Sequence, residues 1–245
     1  MKISRFYQQS EMNIGDELEL STTNHRHAIQ VLRLKLDQTL ILFNGEGGEY
    51  QGKLVDSNKR SSRVLLESFD PLNRESHLST TLALAMIKSE KMDYAIQKSV
   101  ELGVSIIQPI YTKRSVIKIK ANRIDKKMQH WHGIIIAACE QSGRTKLPEL
   151  REPLKIESFL DLQLNTGQET SCIAMLPGKH PKIHELKTRT NLSLLIGPEG
   201  GFTDDEETMM LQKGVSPINF GVRILRAETA AVAGLTACQQ LWGDL

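Results

Sequence analysis

The sequence predicts an α/β protein in two parts, a small β-rich domain over residues 1–72 and a larger α/β domain over residues 73–245. In the first part, short strand-like runs alternate with polar turns. In the second part, apolar runs alternate with segments of helical periodicity, a pattern typical of a largely parallel sheet with helices on both faces. At 245 residues, 40% of them hydrophobic, the chain is long enough to bury a core in each part.

Within the first part, three apolar runs predict strands, and turn-like polar segments separate them. One helix is expected over residues 24–33, with Ala28, Val31 and Leu32 on one face. The predicted strands cover residues 18–20, 39–43 and 63–66.

Within the second part, the continuous apolar run over residues 81–87 predicts a strand buried on both faces. Helical periodicity over residues 91–102 stops at Gly103, a residue suited to the left-handed turn that ends many helices. The remaining elements alternate in the same way. Further strands are expected at 104–110, 172–176, 192–196 and 218–220, and further helices at 123–141, 203–213 and 228–241.

Positive charge is concentrated in the middle of the chain, although the net charge is only +2. Residues 73–151 hold fourteen Lys and Arg against seven Asp and Glu, and residues 111–127 hold seven basic residues against one acidic residue. Such a run is usually a solvated face, whereas its concentration in one block favours a partner with a phosphate backbone.

Several protein classes are disfavoured by what the sequence lacks. No run of about 18 apolar residues is present, so no membrane span is predicted. The first residues lack the apolar stretch of a secretory signal, so a cytoplasmic protein is expected. The three cysteines are far apart, which favours reduced structural thiols. The histidine pairs 25/27 and 130/132 would point in different directions on a helix, so no metal site is expected.

Three glycine-bearing loops follow three of the predicted strands near the C-terminus, at residues 177–179, 197–201 and 221–226. Ligands in open α/β sheets bind at the carboxyl ends of strands, and glycine allows the backbone to approach a ligand closely. The sequence contains neither the phosphate-binding loop motif nor the glycine-rich dinucleotide motif. The three loops therefore predict a pocket for another kind of ligand.

The helix that follows the second loop indicates the charge of this ligand. Thr203 and Glu206 have the spacing of a capping box, which occupies the first amide donors of the helix. Residues 204–207 are all acidic, so this helix start repels phosphate instead of binding it. A phosphate-free cation such as S-adenosylmethionine is compatible with this charge, whereas ATP and NAD are disfavoured.

Five blocks of sequence carry a specific resemblance. They are Arg5-Phe6 with His27 and residues 31–33, residues 88–93 with 98–104, residues 140–144 with 147–148, residues 196–203, and residues 223–230. In these blocks the sequence resembles the RsmE family of 16S rRNA uridine-N3 methyltransferases, which belongs to the SPOUT superfamily. The likeness spans essentially the whole chain.

The resemblance implies a PUA-like β-barrel RNA-binding domain over residues 1–72 and a SPOUT-type α/β domain, tied in a deep trefoil knot, over residues 73–245. General rules of chain topology disfavour knots, so the resemblance alone predicts one. It also implies a homodimer with its active site near the subunit interface, and 16S rRNA of the small ribosomal subunit as the partner.

The last predicted helix is rich in small residues, which allow another backbone to approach closely. An ordinary buried helix has the same composition, so both interpretations stay open. The residues are Ala230, Ala231, Ala233, Gly234 and Ala237.

S-adenosyl-L-methionine is the cofactor that the resemblance implies, bound by the glycine-bearing loops and by the strand ends that precede them. No metal is implied. The residues expected to contact the cofactor are Met175, Leu176, Pro177, Ile196, Gly197, Pro198, Glu199, Gly200, Gly201, Gly221, Ile224, Leu225, Arg226 and Thr229.

Two residues at the end of the last loop are the catalytic candidates. Methylation of uridine N3 requires removal of its proton and stabilisation of negative charge on the uracil oxygens. We expect Arg226 to stabilise that charge and Glu228 to assist proton removal. Alternatively, Arg226 forms a salt bridge with Glu199 or Glu228, and Glu228 is a first-turn residue that interacts with the helix dipole.

Seven basic residues are expected to form an RNA surface, although solvent exposure explains each of them taken alone. They are Arg5, Arg26, Arg33, Lys88, Lys91, Arg114 and Arg144. Two other functions stay open. One is a SPOUT methyltransferase acting on a ribose 2′-hydroxyl or a tRNA base, and the other is a non-catalytic protein that binds RNA or assists ribosome assembly.

Overall fold

The computed structural model describes residues 3–117, 121–165, 171–187 and 190–245. The chain divides into one unit of Met1–Glu75 with Cys139–Leu147, and a second unit of Ser76–Ala138 with Pro148–Leu245. A short segment in the middle of the chain thus returns to the first unit, although the sequence analysis assigned it to the second domain. The predicted domain boundary after residue 72 stays a prediction.

The first unit is built on a five-stranded sheet. Its strands are β1 (Ser4–Tyr7), β2 (Glu17–Glu19), β3 (Thr39–Phe43), β4 (Glu49–Ser57) and β5 (Ser62–Asp70). They lie in the order β1-β3-β4-β5-β2, with β1 and β3 parallel and the other pairs antiparallel. Alternate side chains of a strand point to one face, so every second residue enters the core. This core includes Phe6, Leu40, Leu42, Leu54, Val64 and Leu66.

The helix predicted in this unit differs from the structure. A short helix, α1 (Thr22–His25), is followed by a π-helical turn over Arg26–Val31. Ala28 is buried as predicted, but Val31 is 63% exposed and Leu32 is 43% exposed. The predicted apolar face is therefore wrong at those two positions. Hydrogen bonds in a π turn span five residues, so an α-helical period does not predict which side chains it buries.

The second unit is built on a parallel sheet of seven strands. They are β6 (Ser79–Ala85), β7 (Ile106–Tyr111), β8 (Glu149–Leu150), β9 (Leu154–Lys155), β10 (Ser171–Met175), β11 (Asn191–Ile196) and β12 (Ser216–Ile218). The order is β12-β10-β11-β6-β7-β8, and β9 also pairs with β7. Every pairing is parallel, which confirms the predicted arrangement.

Five helices follow the strands of this sheet. They are α2 (Ser89–Glu101), α3 (Ile124–Ser142), α4 (Ile156–Asn165), α5 (Asp204–Gln212) and α6 (Ala227–Trp242), and the last residues of α3 belong to the first unit. α6 packs on α2 and on β11, and α4 packs near β7 and β9. Within the residues described above, no helix is long and apolar enough to cross a membrane.

Candidate active site

Three adjacent strands bring the three glycine-bearing loops to one edge of the sheet. β10 pairs with β11 on one side and with β12 on the other, and all three run in the same direction. Their carboxyl ends therefore lie side by side, so the loops that begin after Met175, Ile196 and Ile218 are neighbours. The structure thus brings together the loops from which a single ligand site was predicted.

The backbone of two of these loops requires glycine. Gly201 has a φ of +68° and Gly221 a φ of +95°, in the left-handed region that other residues rarely adopt. No atom of the described structure lies within 4 Å of where a Cβ would stand at either position. The constraint is therefore conformational, and the loop backbone is open to a ligand.

Arg114 supports the loop between β11 and α5. Its guanidinium donates hydrogen bonds to the carbonyl oxygens of Gly200, at 2.9 Å, and Phe202, at 2.8 Å. Hydrogen bonds from a charged donor are about twice as strong as neutral ones, so they fix the loop's path. The sequence analysis expected Arg114 to contact RNA, and nothing in the pattern of residues indicated that it reaches this loop.

The start of α5 has the capping box predicted from the sequence. The hydroxyl of Thr203 accepts the N–H of Glu206 at 3.3 Å, and Oε2 of Glu206 accepts the N–H of Thr203 at 2.9 Å. Glu206 is only 2% exposed, and its Oε1 accepts the N–H of Lys113 at 2.7 Å. The buried carboxylate is therefore satisfied by protein donors, and the capped helix start offers fewer amides to a phosphate.

The first turn of α5 keeps a negative charge although one of its carboxylates is paired. Nζ of Lys113 is 2.7 Å from Oδ2 of Asp205, and this hydrogen bond lowers the pKa of Asp205 and raises the pKa of Lys113. Asp204 and Glu207 form no ion pair with any residue that the structure describes. The first turn thus keeps the negative charge from which the sequence analysis predicted that phosphate is repelled.

Lys91, near the start of α2, lies between two carboxylates of the site. Its Nζ is 3.5 Å from Oε1 of Glu199, in the second loop, and 3.8 Å from Oε1 of Glu228, in α6. One cation therefore links three separate elements. The sequence analysis placed these residues in three different roles, and no local signal could have shown that they meet.

One carboxylate oxygen of Glu228 accepts no hydrogen bond from the described residues. Its Oε2 is buried and has no hydrogen-bond partner among the described residues, while the side chain as a whole is 14% exposed. Burying a polar atom without a partner costs free energy, so Oε2 is a candidate acceptor for a hydrogen bond from a ligand.

Arg226, the residue that precedes α6, is exposed, and its guanidinium forms no ion pair with the described part of the chain. Glu199 and Glu228 pair with Lys91 instead. The alternative in which Arg226 forms a salt bridge with either glutamate is therefore not found.

The other residues expected to contact the cofactor fall into two groups. Leu176 and Ile196 are 5% and 1% exposed, so their side chains help to pack the unit where β10 and β11 end. Ile224, in the last loop, is in contrast 98% exposed, and Thr229, in the first turn of α6, is exposed as well. The side chains at these two positions are therefore accessible to a ligand or a partner.

Two arginines predicted to contact RNA, the buried Arg144 and the half-buried Arg5, form contacts within the first unit. Arg144 is 4% exposed and pairs with Glu75. Arg5 pairs with Glu49 and donates to the carbonyl oxygen of Gly143 at 3.2 Å. Both guanidinium groups thus form ion pairs or hydrogen bonds within this unit, and their contacts with RNA stay predictions.

The other predicted RNA contacts are surface residues. Arg26, Arg33 and Lys88 are exposed. In the basic run of residues 111–127, Lys118 and Lys120 lie outside the described residues, and Arg123 and Lys126 are exposed. Of these positions, Lys88, Arg123 and Lys126 leave positive charge on the second unit accessible to an anionic partner.

The cysteines are buried or half-buried free thiols. Burial raises the pKa of Cys139 and of Cys238 to about 12, and that of Cys172 to about 11. At neutral pH all three are therefore protonated and poor nucleophiles. Among the described residues, no group of three His, Cys, Asp or Glu side chains is arranged to hold a metal ion.

Comparison with known families accounts for both units. Residues 74–239 match the family model of an RNA methyltransferase domain, and residues 20–67 match that of an RNA methyltransferase PUA domain. The chain belongs to the RNA methyltransferase family. The match to the RNA methyltransferase domain covers most of the chain and includes all three glycine-bearing loops.

Relatives in this methyltransferase family match the full chain. The ribosomal RNA small subunit methyltransferase E of Buchnera aphidicola subsp. Schizaphis graminum is 35% identical over 245 residues, covering 100% of this chain and 98% of that protein. The crystal structure of the Neisseria gonorrhoeae ribosomal RNA small subunit methyltransferase E, bound to S-adenosylmethionine, has a TM-score of 0.92 and 32% identity over both full chains. A Legionella pneumophila structure with bound S-adenosylmethionine has a TM-score of 0.94 and 37% identity, again over both full chains.

These likenesses confirm the family resemblance and the predicted fold class, a PUA-like domain followed by a SPOUT-type α/β domain. The trefoil knot stays a prediction from the resemblance.

Proposed function

We propose that the protein transfers a methyl group from S-adenosyl-L-methionine to the N3 atom of one uridine in the 16S rRNA of the small ribosomal subunit. The observation that carries the proposal is the sheet edge where three glycine-bearing loops meet beside the Lys91 and Glu228 cluster. Relatives named as small-subunit rRNA methyltransferases, and similar structures with bound S-adenosylmethionine, support the same reaction.

The residues at this edge fit the cofactor. The capped, acidic start of α5 disfavours phosphate, and S-adenosylmethionine has no phosphate and carries a positive sulfonium. Glu199 lies in the loop that would face it, and the open backbone at Gly201 and Gly221 permits close approach. When bound, the cofactor supplies an electrophilic methyl group to the base.

We propose that Glu228 accepts the proton that leaves uridine N3. Its buried Oε2 lacks a donor in the described structure, so an N–H brought to this atom would satisfy it. Lys91, 3.8 Å from Oε1, holds the carboxylate from its other side and leaves Oε2 for the base. Loss of the proton puts negative charge on the uracil oxygens, and the exposed guanidinium of Arg226 is placed next to α6 to stabilise it.

A variant of Arg226 tests the site. Arg226→Ala is expected to keep the affinity for S-adenosylmethionine, measured by calorimetry, and to lose methylation by about 10²–10³-fold, because a charge-stabilising donor acts in the transition state. Arg223→Ala removes another exposed arginine of the same loop and should leave both quantities unchanged. Equal losses of affinity and rate in Arg226→Ala would reassign Arg226 to cofactor binding.

Nucleoside mass spectrometry tests the target. Small-subunit rRNA from a strain that lacks this protein should have lost 3-methyluridine, and the purified enzyme should restore it. Loss of a 2′-O-methylated nucleoside or of a tRNA base instead would indicate another SPOUT reaction. Absence of any calorimetric heat with S-adenosylmethionine would indicate a non-catalytic RNA-binding protein.

We also propose that the protein works as a cytoplasmic homodimer. In the last loop, Val222 and Ile224 are 97% and 98% exposed, although both are large and apolar. A second copy covering this loop would remove them from water. In α6, Ala230, Ala231 and Gly234 are buried within their own unit, so the ordinary buried helix explains these small residues.

We propose that RNA contacts the exposed residues Arg26 and Arg33 in the first unit and, separately, the exposed Lys88 in the second. Arg5, Arg114 and Arg144 are left out because each is committed to a contact within its own unit. Lys91 is assigned to the active site instead, since it contacts two of its carboxylates.

A further inference from the structure

A cavity of about 870 Å³ opens in the second unit, and the glycine-bearing loops take no part in its walls. Its described walls come from the residues that follow β6, from the start of α2, from Ile117 after β7, and from Arg123 with the first half of α3. β6 is the neighbour of β11 in the sheet, so the cavity lies beside the proposed cofactor site and is separate from it.

The floor of the cavity is apolar. Met86, Ile87 and Trp131 are buried and form the layer beneath it, and the half-buried side chain of Ile117 is the apolar wall residue that a ligand can reach. Trp131 is fixed in place, because its Nε1 donates to Asp93 at 3.2 Å and Nζ of Lys127 lies 5.2 Å from its ring centroid. A base that enters the cavity would therefore contact Ile117 above a rigid apolar layer.

The rim of the cavity is basic. Arg123 and Lys126 are exposed and form no ion pair with a residue in the described ranges. Asp93 is the carboxylate in the wall, and it is already held by Lys127 at 3.4 Å and by His130 at 2.7 Å. The uncompensated charge at the mouth is therefore positive, which suits a phosphate.

We propose that this cavity binds one unstacked nucleotide of the substrate RNA, with its base on the apolar floor and its phosphate at Arg123 and Lys126. The proposal rests on the proposed function, because it takes the substrate to be RNA. Proteins that read single-stranded RNA place splayed-out bases in such pockets and hold the backbone by charge.

The nucleotide in this cavity is one that flanks the target uridine. The described walls contain no residue of the loops proposed to hold the methyl donor. Asp93, the acid in the wall, accepts from three side chains and has no role left for a proton on the base. Lys91 lies between two cavity residues of α2, Ser89 and Asp93, and contacts Glu199, so the two sites are adjacent.

The first test distinguishes recognition of the base from recognition of the phosphate backbone. Fluorescein-labelled hexauridylate and a labelled abasic ribose-phosphate hexamer are titrated with the protein, and binding is followed by fluorescence anisotropy. The protein is expected to bind hexauridylate about tenfold more tightly, because one base gains apolar contact in the cavity and the abasic hexamer has no base to place there. Ile117→Asn, which replaces the accessible apolar side chain of the wall with a polar one, should abolish this preference. Val116→Asn, at a 69% exposed position beside it, should not.

The second test concerns the basic rim. Lys126→Ala should weaken the binding of both oligomers and reduce the slope of log affinity against log salt by about 1, as expected for one lost phosphate contact. Lys155→Ala, which removes an exposed lysine of β9 outside the cavity, should leave the slope unchanged.

Equal affinity for the two oligomers, or a preference that survives Ile117→Asn, would overturn the proposal. Loss of S-adenosylmethionine binding in Ile117→Asn would overturn it as well, because the cavity would then belong to the cofactor site. If the wild type shows the base preference but neither binds S-adenosylmethionine nor methylates RNA, the proposed function fails while the nucleotide site stands.

Discussion

At the level of single residues, the position of Lys91 between Glu199 and Glu228 determines how the site can work. Two carboxylates within 4 Å of one ammonium group lie close to each other, and the shared cation offsets their repulsion. Glu199 belongs to the loop proposed to hold the cofactor, and Glu228, in α6, is the proposed proton acceptor. The side chain of Lys91 therefore links the cofactor loop to the proton acceptor.

Glu228→Gln tests the proposed proton acceptor. Gln has nearly the same shape but does not take up a proton, so the single-turnover methylation rate should fall by about 10²–10⁴-fold. The dissociation constant for S-adenosylmethionine, measured by calorimetry, should change little. Glu157→Gln alters an exposed glutamate of α4 and serves as the control. A Glu228→Gln enzyme with the wild-type rate would show that another group removes the proton.

Glu140 gives the stability of the protein a pH dependence. Burial raises the pKa of its carboxyl, and the hydrogen bond from the Tyr7 N–H, at 2.9 Å, lowers that pKa in part. The folded chain therefore binds this proton more tightly than the unfolded chain does. It follows that the ionised carboxylate destabilises the fold, so this contribution to stability is lost as pH rises through the folded pKa.

Glu140→Gln is expected to melt at a higher temperature than the wild type at about pH 7, with the difference shrinking toward about pH 4. The amide oxygen of Gln still accepts the Tyr7 N–H, so the hydrogen bond is kept while the buried charge is removed. Thermal unfolding followed by circular dichroism at several pH values measures this. A wild type that melts higher than the variant at neutral pH would contradict the assignment.

At the level of elements, a strand of the first unit and a helix of the second differ in whether a glycine can be replaced by a larger residue. In β4, a Cβ on Gly52 would lie 2.6 Å from the backbone oxygen of Leu65 and 2.7 Å from Cγ1 of Val64, so the strands could not keep their spacing. In α3, a Cβ on Gly133 would meet no described atom within 4 Å.

Gly52→Ala should therefore destabilise the protein by about 1–3 kcal/mol, the usual cost of forcing atoms into a packed region. Gly133→Ala should stabilise it by about 0.5–1 kcal/mol, because alanine loses less conformational entropy than glycine in a helix. Urea unfolding of the two variants measures both effects. Equal stabilities would show that the strands of the first unit can separate enough to admit a methyl group.

The elements that sequence reasoning predicted are those with a strong local pattern. The apolar run of β6 and the helical period of α2 depend on neighbouring residues alone, and both were predicted to within a few positions. β4 was missed because it mixes polar residues with Gly52, which local preference disfavours in a strand. The strand predicted at residues 218–220 is β12, which begins earlier, at Ser216. Its start was missed because Pro217 is typical of a turn, although proline is tolerated in an edge strand.

The helix α4 was missed although its signal is present. Ile156, Phe159 and Leu160 have the i, i+3, i+4 spacing of an amphipathic helix, and all three are buried in the core of the second unit. The candidate site was predictable to a similar extent. The glycine-bearing loops were identified from local motifs, whereas the contact of Lys91 with Glu199 joins residues 108 positions apart. Contacts of that range depend on the order of the strands, which local pattern does not specify.

At the level of the whole molecule, the exposed apolar residues of the last loop predict association of two copies. Ile224→Glu places a charge at a position that is 98% exposed in the single chain. Burying that charge in an interface is costly, so the variant should sediment as a monomer in analytical ultracentrifugation where the wild type sediments as a dimer. Lys182→Glu, which alters an exposed residue elsewhere in the second unit, should remain dimeric.

A monomeric wild type would contradict the proposed homodimer. A variant that stays dimeric would show that the subunits meet through another surface, since a charge at position 224 would then remain in water.

Because Cys139–Leu147 belongs to the first unit, the order of synthesis on the ribosome affects how the protein can fold. Arg5 and Arg74 both donate to the carbonyl oxygen of Gly143, a residue that is translated well after either arginine. The first unit therefore stays incomplete until β6, β7 and most of α3 have been synthesised. Nascent domains usually fold one after another from the N-terminus. Here the order is interleaved, so a chain halted before residue 147 has finished neither unit.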